Sequence, residues 1–435
     1  MNDMKVPKRL ANIILNSLQG GVVPPNGLGY IAVGREQEIA ALLKDIEIIE
    51  DGGATFRLVT GNYGSGKTFL LQTIKEHAIA KGFVVAFCDL SPVRSLIGSF
   101  INKKGLATYR ELMCNICTKS SPTGAALDKI LDGWLNNVWM EIAVSLSGGA
   151  IAGNELEERV SLKIQETIKG MHEMVRGFDF ANILTIYWKA SREKDDITKA
   201  KALKWLRGEY STKKDAKDEL GVTSIINDDD WFDYIKLFSV LFNRIGYNGF
   251  IIMIDEMINL YKCVNPTTRQ RNYEKMLSMY NDALQGRARN LGIIMGGTPR
   301  SVESKTRGVF SYEALRSRLQ SGSFNDPNVI NLMAPIIHIQ QLTNSEIVIL
   351  LEKLSSIHAD LYQYESKIKE EDIIFFVQEV FRKKPESNIT PRSIIRDFID
   401  VLNILLQHPH LDIGNVISNY QWNDDIEEEA AETFD

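Results

Sequence analysis

Four cysteines in 435 residues are too few for a disulfide framework, and so sparse a usage points to a reducing compartment. No run of about 18 apolar residues occurs, which excludes a helical membrane span, and the opening MNDMKVPKRL lacks the apolar core of a secretory signal. These absences together predict a cytoplasmic protein that does not enter a membrane. Compositional extremes are missing too. With 44% hydrophobic and 24% charged residues, 31 Gly and 12 Pro, the chain is neither collagen-like, low-complexity nor wholly disordered. No repeat of about 20 to 50 residues is present, so solenoids and propellers are excluded. What remains is a globular chain of two or three domains, at about 150 residues each.

The net charge is −6, but the last thirteen residues, Asn423 to Asp435, hold seven acids and no base, which leaves a body of net charge +1. Overall charge therefore neither requires nor forbids a nucleic-acid partner. The end of the chain reads as a solvated acidic tail.

Apolar spacing predicts a first helix over Lys8–Leu18, followed by the turn-rich stretch Gly20–Gly29. Helix and strand then alternate: helix Glu36–Glu50, strand Thr55–Thr60, helix Lys67–Lys81, strand Phe83–Leu90. That alternation predicts a parallel sheet covered on both faces. From about Ser95 to Ile226 it gives way to helical patterns, with a glycine-rich run at Ser145–Asn154 and mixed charge over Arg192–Leu220. Strands return at Gly249–Ile254, Leu291–Gly296 and Pro335–Gln340, with a helix over Thr268–Asn290. Beyond Leu342 the pattern is helical: Ser345–Ser356, Glu370–Arg382 and Pro391–Leu406, the last with Thr390 as cap and Pro391 in the first turn.

Gly61-Asn62-Tyr63-Gly64-Ser65-Gly66-Lys67-Thr68 fits G-x-x-x-x-G-K-[ST] between a predicted strand and a predicted helix, the setting that marks a P-loop. The glycines let backbone N–H groups wrap phosphate, and the helix N-terminus adds positive charge. Lys67 reaches the outer phosphates, and the Thr68 hydroxyl ligates Mg²⁺. ATP and Mg²⁺ are the predicted cofactors.

Such a site also requires a carboxylate at the end of a neighbouring strand. Asp89 closes the strand after the P-loop helix, and the pair Asp255-Glu256 closes the strand GFIIMI. Only the pair offers both a metal-side carboxylate, Asp255, and a group beside it to polarise water, Glu256. Asp89 reads alternatively as a cap or turn residue, and its choice would resemble a small-molecule kinase. Thr298, after LGIIMGG, is either a hydroxyl at the carboxyl edge of the sheet or a turn residue before Pro299. Arg316 and Arg318 are either charge-neutralising groups for a neighbouring subunit's γ-phosphate or a solvated helix face. Arg392 starts the last long helix. Cys114 and Cys117 form C-x-x-C within a helical pattern, without the second pair or histidine that zinc needs.

In order, Val33-Gly34-Arg35-Glu36, the P-loop, the IIMIDE strand, Thr298, Arg316/Arg318 and Thr390-Pro391-Arg392 resemble the AAA+ ATPases, especially their origin-recognition and STAND branches. More narrowly, Pro24–Leu28, Gly61–Leu70, Phe83–Pro92, Lys204–Glu209 and Ser311–Leu319 resemble the BrxD-type ATP-binding proteins of bacterial phage-exclusion (BREX) loci. The resemblance implies that Gly34 and Arg35 touch the adenine, that Asn62 to Phe69 hold phosphate, and that Asp255 and Glu256 form Walker B. It further implies that Thr298 is sensor 1, that Arg316 or Arg318 acts across a subunit boundary, and that Arg392 is sensor 2.

The expected fold is α/β: a parallel-sheet, AAA+-like P-loop ATPase core (33–94 and 227–342) with a helical insertion (95–226) and a C-terminal helical lid (343–410). An N-terminal helix and turn-rich segment (1–32) and an acidic tail (411–435) flank it. The expected activity is ATP hydrolysis by a homo-oligomer in anti-phage defence, with defence-locus partners such as a helicase. Two alternatives stay open: a slow-turnover, nucleotide-gated assembly switch, and a DNA-binding loader. The short stretch Leu411–Trp422 leaves no room for a winged helix, which argues against sequence-specific DNA reading.

Overall fold

The computed structural model describes residues 5–98, 103–146, 153–320, 331–384 and 389–421. The chain divides into two compact units, one of Met1–Ala40, Thr60–Glu76 and His338–Asp435, the other of Ala41–Val59 and His77–Ile337.

The second unit carries the sheet. Its strands are β1 (Ala54–Thr60), β2 (Val84–Asp89), β3 (Ile116–Cys117), β4 (Phe250–Asp255), β5 (Leu291–Gly297) and β6 (Ile336–His338), in the order β3-β2-β4-β5-β1-β6. β2, β4 and β5 pair in parallel, with Ala86 opposite Ile252 and Ile252 opposite Ile293. β4 and β5 are buried along their whole length, as continuous apolar runs between helix layers require. α1 (Lys8–Gln19) and α2 (Glu36–Glu50) precede β1, and α3 (Lys67–Ala80) connects it to β2.

Between β2 and β4 lie α4 (Lys104–Cys114), α5 (Leu127–Leu146), α6 (Gly153–Lys169), α7 (Gly177–Glu193), α8 (Asp196–Leu206), α9 (Lys213–Leu220) and α10 (Trp231–Arg244). Their apolar side chains, among them Leu112, Leu184, Trp205 and Phe238, join Val84, Ile252 and Ile293 of the sheet in one buried cluster. Asp228 fixes the start of this region by accepting from the backbone N–H groups of Gly98, Gly105 and Leu106 at 2.6, 2.7 and 3.0 Å. The helical reading of Cys117 is corrected here. α4 ends at Cys114, and Cys117 pairs antiparallel with Val85 in β3. Two residues are too short to show a strand period, so only the partner strand reveals the pairing.

α11 (Ile258–Tyr261) and α12 (Pro266–Leu284) follow β4; α13 (Pro299–Glu303) and α14 (Glu313–Leu319) follow β5.

The first unit has its own helical core. α1 packs with α15 (Asn344–Tyr362), α16 (Glu370–Lys383), α17 (Pro391–Gln407) and α18 (Ile413–Asn419) around Ile14, Leu28, Leu351, Phe376, Phe398 and Ile417. Of the segment expected to run on as a tail from 411, Ile413–Asn419 is therefore helical, while Asn423–Asp435 lies outside the described residues, as do 147–152 of the glycine-rich run. His358 is buried against Tyr364 and Asn403, at 2.9 and 3.2 Å, and burial lowers its pKa. No helix among the described residues is long and apolar enough to cross a membrane.

Candidate functional site

The expected site residues fall into two groups, one in each unit. In the first unit, β1 ends at Thr60 and the glycine loop begins at the next residue. Gly64 and Gly66 have φ of 72° and 91°, the left-handed region that side-chain-bearing residues avoid. They turn the loop ahead of α3, whose first turn contributes unsatisfied donors and the positive end of the helix dipole. Lys67 Nζ donates to the carbonyls of Gly61 and Asn62, each at 2.9 Å, and lies 5.5 Å from the centre of the Tyr63 ring. Ser65 is buried with its hydroxyl oxygen unpartnered, a polar atom that a bound phosphate would satisfy. Glycine cradle, lysine, threonine and orphaned hydroxyl are the donor set that ATP with Mg²⁺ requires.

Two contacts join this loop to other parts of the same unit. Arg35 is buried, and its guanidinium donates to Gly34 O at 2.9 Å, Ser65 O at 2.9 Å and Gln340 O at 2.6 Å. Burial lowers its pKa, opposed by Glu38, Glu346 and Glu36. The Gly-Arg segment was expected at the adenine; the contacts the structure gives Arg35 are with the P-loop and with the chain just before α15. Thr390 is the second link. A Cβ placed on Gly64 would come within 2.8 Å of Thr390 Cβ, so the N-terminus of α17 abuts the loop. Thr390 caps that helix through Ser393 N at 3.2 Å, with Ser393 Oγ accepting in return. Arg392, two residues on, runs alongside Gly21. Phe69 packs against the helical core.

In the second unit, parallel register sets Asp89 opposite Asp255. Asp255 is buried, and its Oδ1 accepts from Glu256 N at 2.8 Å. Glu256 has φ of 61°, an unusual conformation for a glutamate, and such strain concentrates at functional positions. The turn is held by Met257 N on Gly296 O at 3.0 Å and by Asn259 Nδ2 on Leu90 O at 2.9 Å. Partial withdrawal from water, then Asp255 and Glu256, push the Asp89 carboxyl up to about 6. The two competing carboxylate candidates thus share one acidic neighbourhood. Among the described residues no set of three His, Cys, Asp or Glu could hold a metal ion by itself. That suits Mg²⁺, which takes one or two carboxylates and completes its shell with water and substrate phosphate.

Thr298 is nearly buried and caps α13 by accepting from Ser301 N at 3.2 Å, so it serves as a turn residue while keeping a hydroxyl proton to donate. On α14, Arg316 is half-buried and Arg318 exposed, the latter donating to Ala314 O at 2.7 Å. The sequence reading missed the carbonyl-clamping role of Arg35 and the contact of Thr390 with Gly64. Neither has a local signature beyond an Arg and a Thr at motif positions.

A glycine cradle between a strand and a helix of a mainly parallel α/β fold defines a P-loop nucleotide-binding protein. The chain belongs to the family of BREX system ATP-binding proteins BrxC/D, whose model matches residues 6–421. It is thus an ATP-binding protein of the BREX defence systems. Among curated proteins, none matches the chain.

Proposed function

We propose that the protein is a Mg²⁺-dependent ATPase, acting as a homo-oligomer in the cytoplasm with other proteins of its defence locus, a helicase among the candidates. The observation that carries this reading is the P-loop of the first unit, with Gly64 and Gly66 in the left-handed region, Lys67 on the loop carbonyls and the Ser65 hydroxyl unpartnered. The strained Asp255-Glu256 turn of the second unit supports it by its chemistry. In this reading Lys67 and the N–H groups of residues 62 to 68 bind the phosphates. Thr68 and Asp255 hold Mg²⁺, which supplies charge neutralisation on the phosphate oxygens. Glu256 orients and polarises the attacking water. Thr298 donates its hydroxyl proton to the outer phosphate, and Arg316 or Arg318 serves a neighbouring copy. Gly34, Arg35 and Arg392 shape the nucleotide's surroundings from the first unit.

Glu256→Gln tests the assignment. It should bind a fluorescent ATP analogue as the parent does, while turnover falls by about two or more orders of magnitude, the loss expected for a positioned base. Unchanged turnover would remove Glu256 from the mechanism.

A second reading is favoured by the contacts of Arg35 and Thr390, which couple the P-loop to the starts of α15 and α17. Through them, nucleotide occupancy would bias the helical lid, and the ATP-bound assembly would be the signal. Oligomeric mass and hydrolysis measured together against protein concentration separate the two: ATP-driven assembly with negligible turnover supports the switch.

A further inference from the structure

The segments that follow β4 and β5 carry a basic surface that the nucleotide chemistry does not use. From Met257 to Tyr273 the chain has no acid but holds Lys262, Arg269 and Arg271, and Thr298–Tyr312 adds Arg300, Lys305 and Arg307 against Glu303 alone. The fold gathers two of these cations, Arg300 and Arg307, around one aromatic ring. The guanidinium carbons of Arg300 and Arg307 lie 5.3 and 5.2 Å from the ring centre of Tyr261, at the end of α11. Arg300 Nε also donates to Tyr261 Oη at 3.0 Å. Tyr273, one turn beyond Arg269 on α12, donates to the Arg307 carbonyl at 2.6 Å and ties the two basic segments together.

Several cations elsewhere in this unit are matched with acids. Arg57 pairs with Asp45 at 2.6 Å, Lys236 with Asp233 and Asp282 at 2.9 and 2.6 Å, and Arg94 with Glu111 at 3.4 Å. Lys262, Arg269, Arg300, Lys305 and Arg307 have no ion pair among the described residues, and Arg307 Nε is buried without a hydrogen-bond partner. Two guanidiniums on one ring stand within about 10 Å of each other, an arrangement that repels in isolation and that the tyrosine's electron-rich face partly offsets. The ring therefore assembles the cations in advance and leaves their outward N–H donors for an anion.

The layout selects among anions. A single small anion calls for donors converging from a closed pocket, whereas here Lys262, Arg300 and Lys305 are exposed and spread over two segments. Two forked guanidiniums held on one ring, with exposed lysines in the same two segments, suit a repeating phosphate. We propose that this surface binds the phosphate backbone of a nucleic acid without reading its sequence. The proposal needs neither ATP hydrolysis nor Glu256, so it stands or falls apart from the ATPase assignment.

The test uses the full chain and a labelled, mixed-sequence DNA of about 30 nucleotides, single- and double-stranded, read by fluorescence anisotropy across a salt series. The parent should bind at low salt and weaken at least about tenfold between 50 and 200 mM salt, as phosphate contacts dictate. Arg300→Ala with Lys305→Ala, both exposed, should weaken binding about tenfold and lower the slope of log affinity against log salt by about two. Its unfolding midpoint should not move. Lys163→Ala with Lys169→Ala on α6 removes the same charge elsewhere and should leave DNA binding as in the parent. No salt-dependent binding by the parent, or equal weakening by both double variants, would overturn the proposal. So would an Arg300→Ala chain that binds DNA normally yet loses ATP turnover only where chains assemble, since that is the behaviour of an arginine acting on a neighbour's nucleotide.

Discussion

The phosphate cradle of the first unit occupies eight consecutive residues, Gly61–Thr68, whereas the acidic cluster of the second exists only because β2 and β4 pair in parallel with Asp89 opposite Asp255. The cradle works through backbone donors and needs mainly glycine at the left-handed positions. The acidic cluster works through side chains whose charges oppose one another, so its stability depends on whatever neutralises them. A local motif can be recognised without its fold, but an electrostatic cluster assembled by strand register cannot. The two groups should accordingly fail in different ways when altered.

The largest expected contrast separates binding from metal dependence. Lys67→Ala should weaken ATP binding about a hundredfold or more, with or without Mg²⁺, if Lys67 is the cation that meets the outer phosphates as proposed. Asp255→Asn should bind ATP almost normally in EDTA and lose the gain that Mg²⁺ brings. Titration with a fluorescent ATP analogue in both buffers reads the two outcomes. Equal behaviour of the two variants would dissolve the distinction between cradle and acidic cluster.

Next in size is Arg35. Its guanidinium donates to three carbonyls from a buried position, and a hydrogen bond from a charged donor is worth about 1.5–3 kcal/mol with incomplete additivity. Arg35→Ala should cost about 2–4 kcal/mol in denaturant unfolding and lower ATP affinity, because Ser65 loses its anchor. Arg35→Lys keeps the charge but cannot fork to separate carbonyls, so it should rescue little. Thr390→Ala should cost less, about 1 kcal/mol, through the lost cap on α17. If that cap variant altered ATP affinity more than stability, the contact with Gly64 would be the more important role of Thr390.

How much was legible follows the same division. Helix α2 and the strands β1, β2, β4 and β5 stand within a residue or two of where apolar patterning puts them, because each is long, periodic and bounded by Gly, Asn or Asp. β3 was not legible: its two residues gain strand character only from Val85 and Ala86 across the ladder. Nor was α10 read from the sequence, although Asp233, Lys236 and Asn243 leave a polar stripe at helical spacing beside its apolar residues. At the site, the P-loop was complete in sequence, and Asp255-Glu256 could be preferred over Asp89 on chemistry alone. Their shared neighbourhood, the carbonyl-holding role of Arg35 and the gathering of Arg300 and Arg307 on Tyr261 depend on long-range geometry that spacing does not encode.

The smallest expected effects concern pH, and there the two units should respond in opposite senses. Burial of His358 among Tyr364 and Asn403 lowers its pKa below the unfolded value, so the folded form prefers the neutral ring. Its contribution is present above about pH 6.5 and is lost as pH falls through the lowered folded value. Asp89 runs the other way. Its folded pKa of about 6 exceeds the unfolded value of 3.8, so the folded state holds the proton longer and gains stability as pH falls from about 6 to about 4. Asp89→Asn should therefore stabilise the chain at pH 7, by less than about 1 kcal/mol since the exposed carboxyl is screened, and should lose that advantage near pH 4. Mg²⁺ with an ATP analogue should erase the advantage at pH 7 as well, because a cation among the carboxylates relieves the repulsion that the amide removes. Unfolding midpoints of parent and variant at pH 4 and pH 7, with and without the metal–nucleotide pair, measure all of this. An advantage that ignored both pH and the metal would mean that Asp89 acts through packing and that the acidic cluster carries no electrostatic strain.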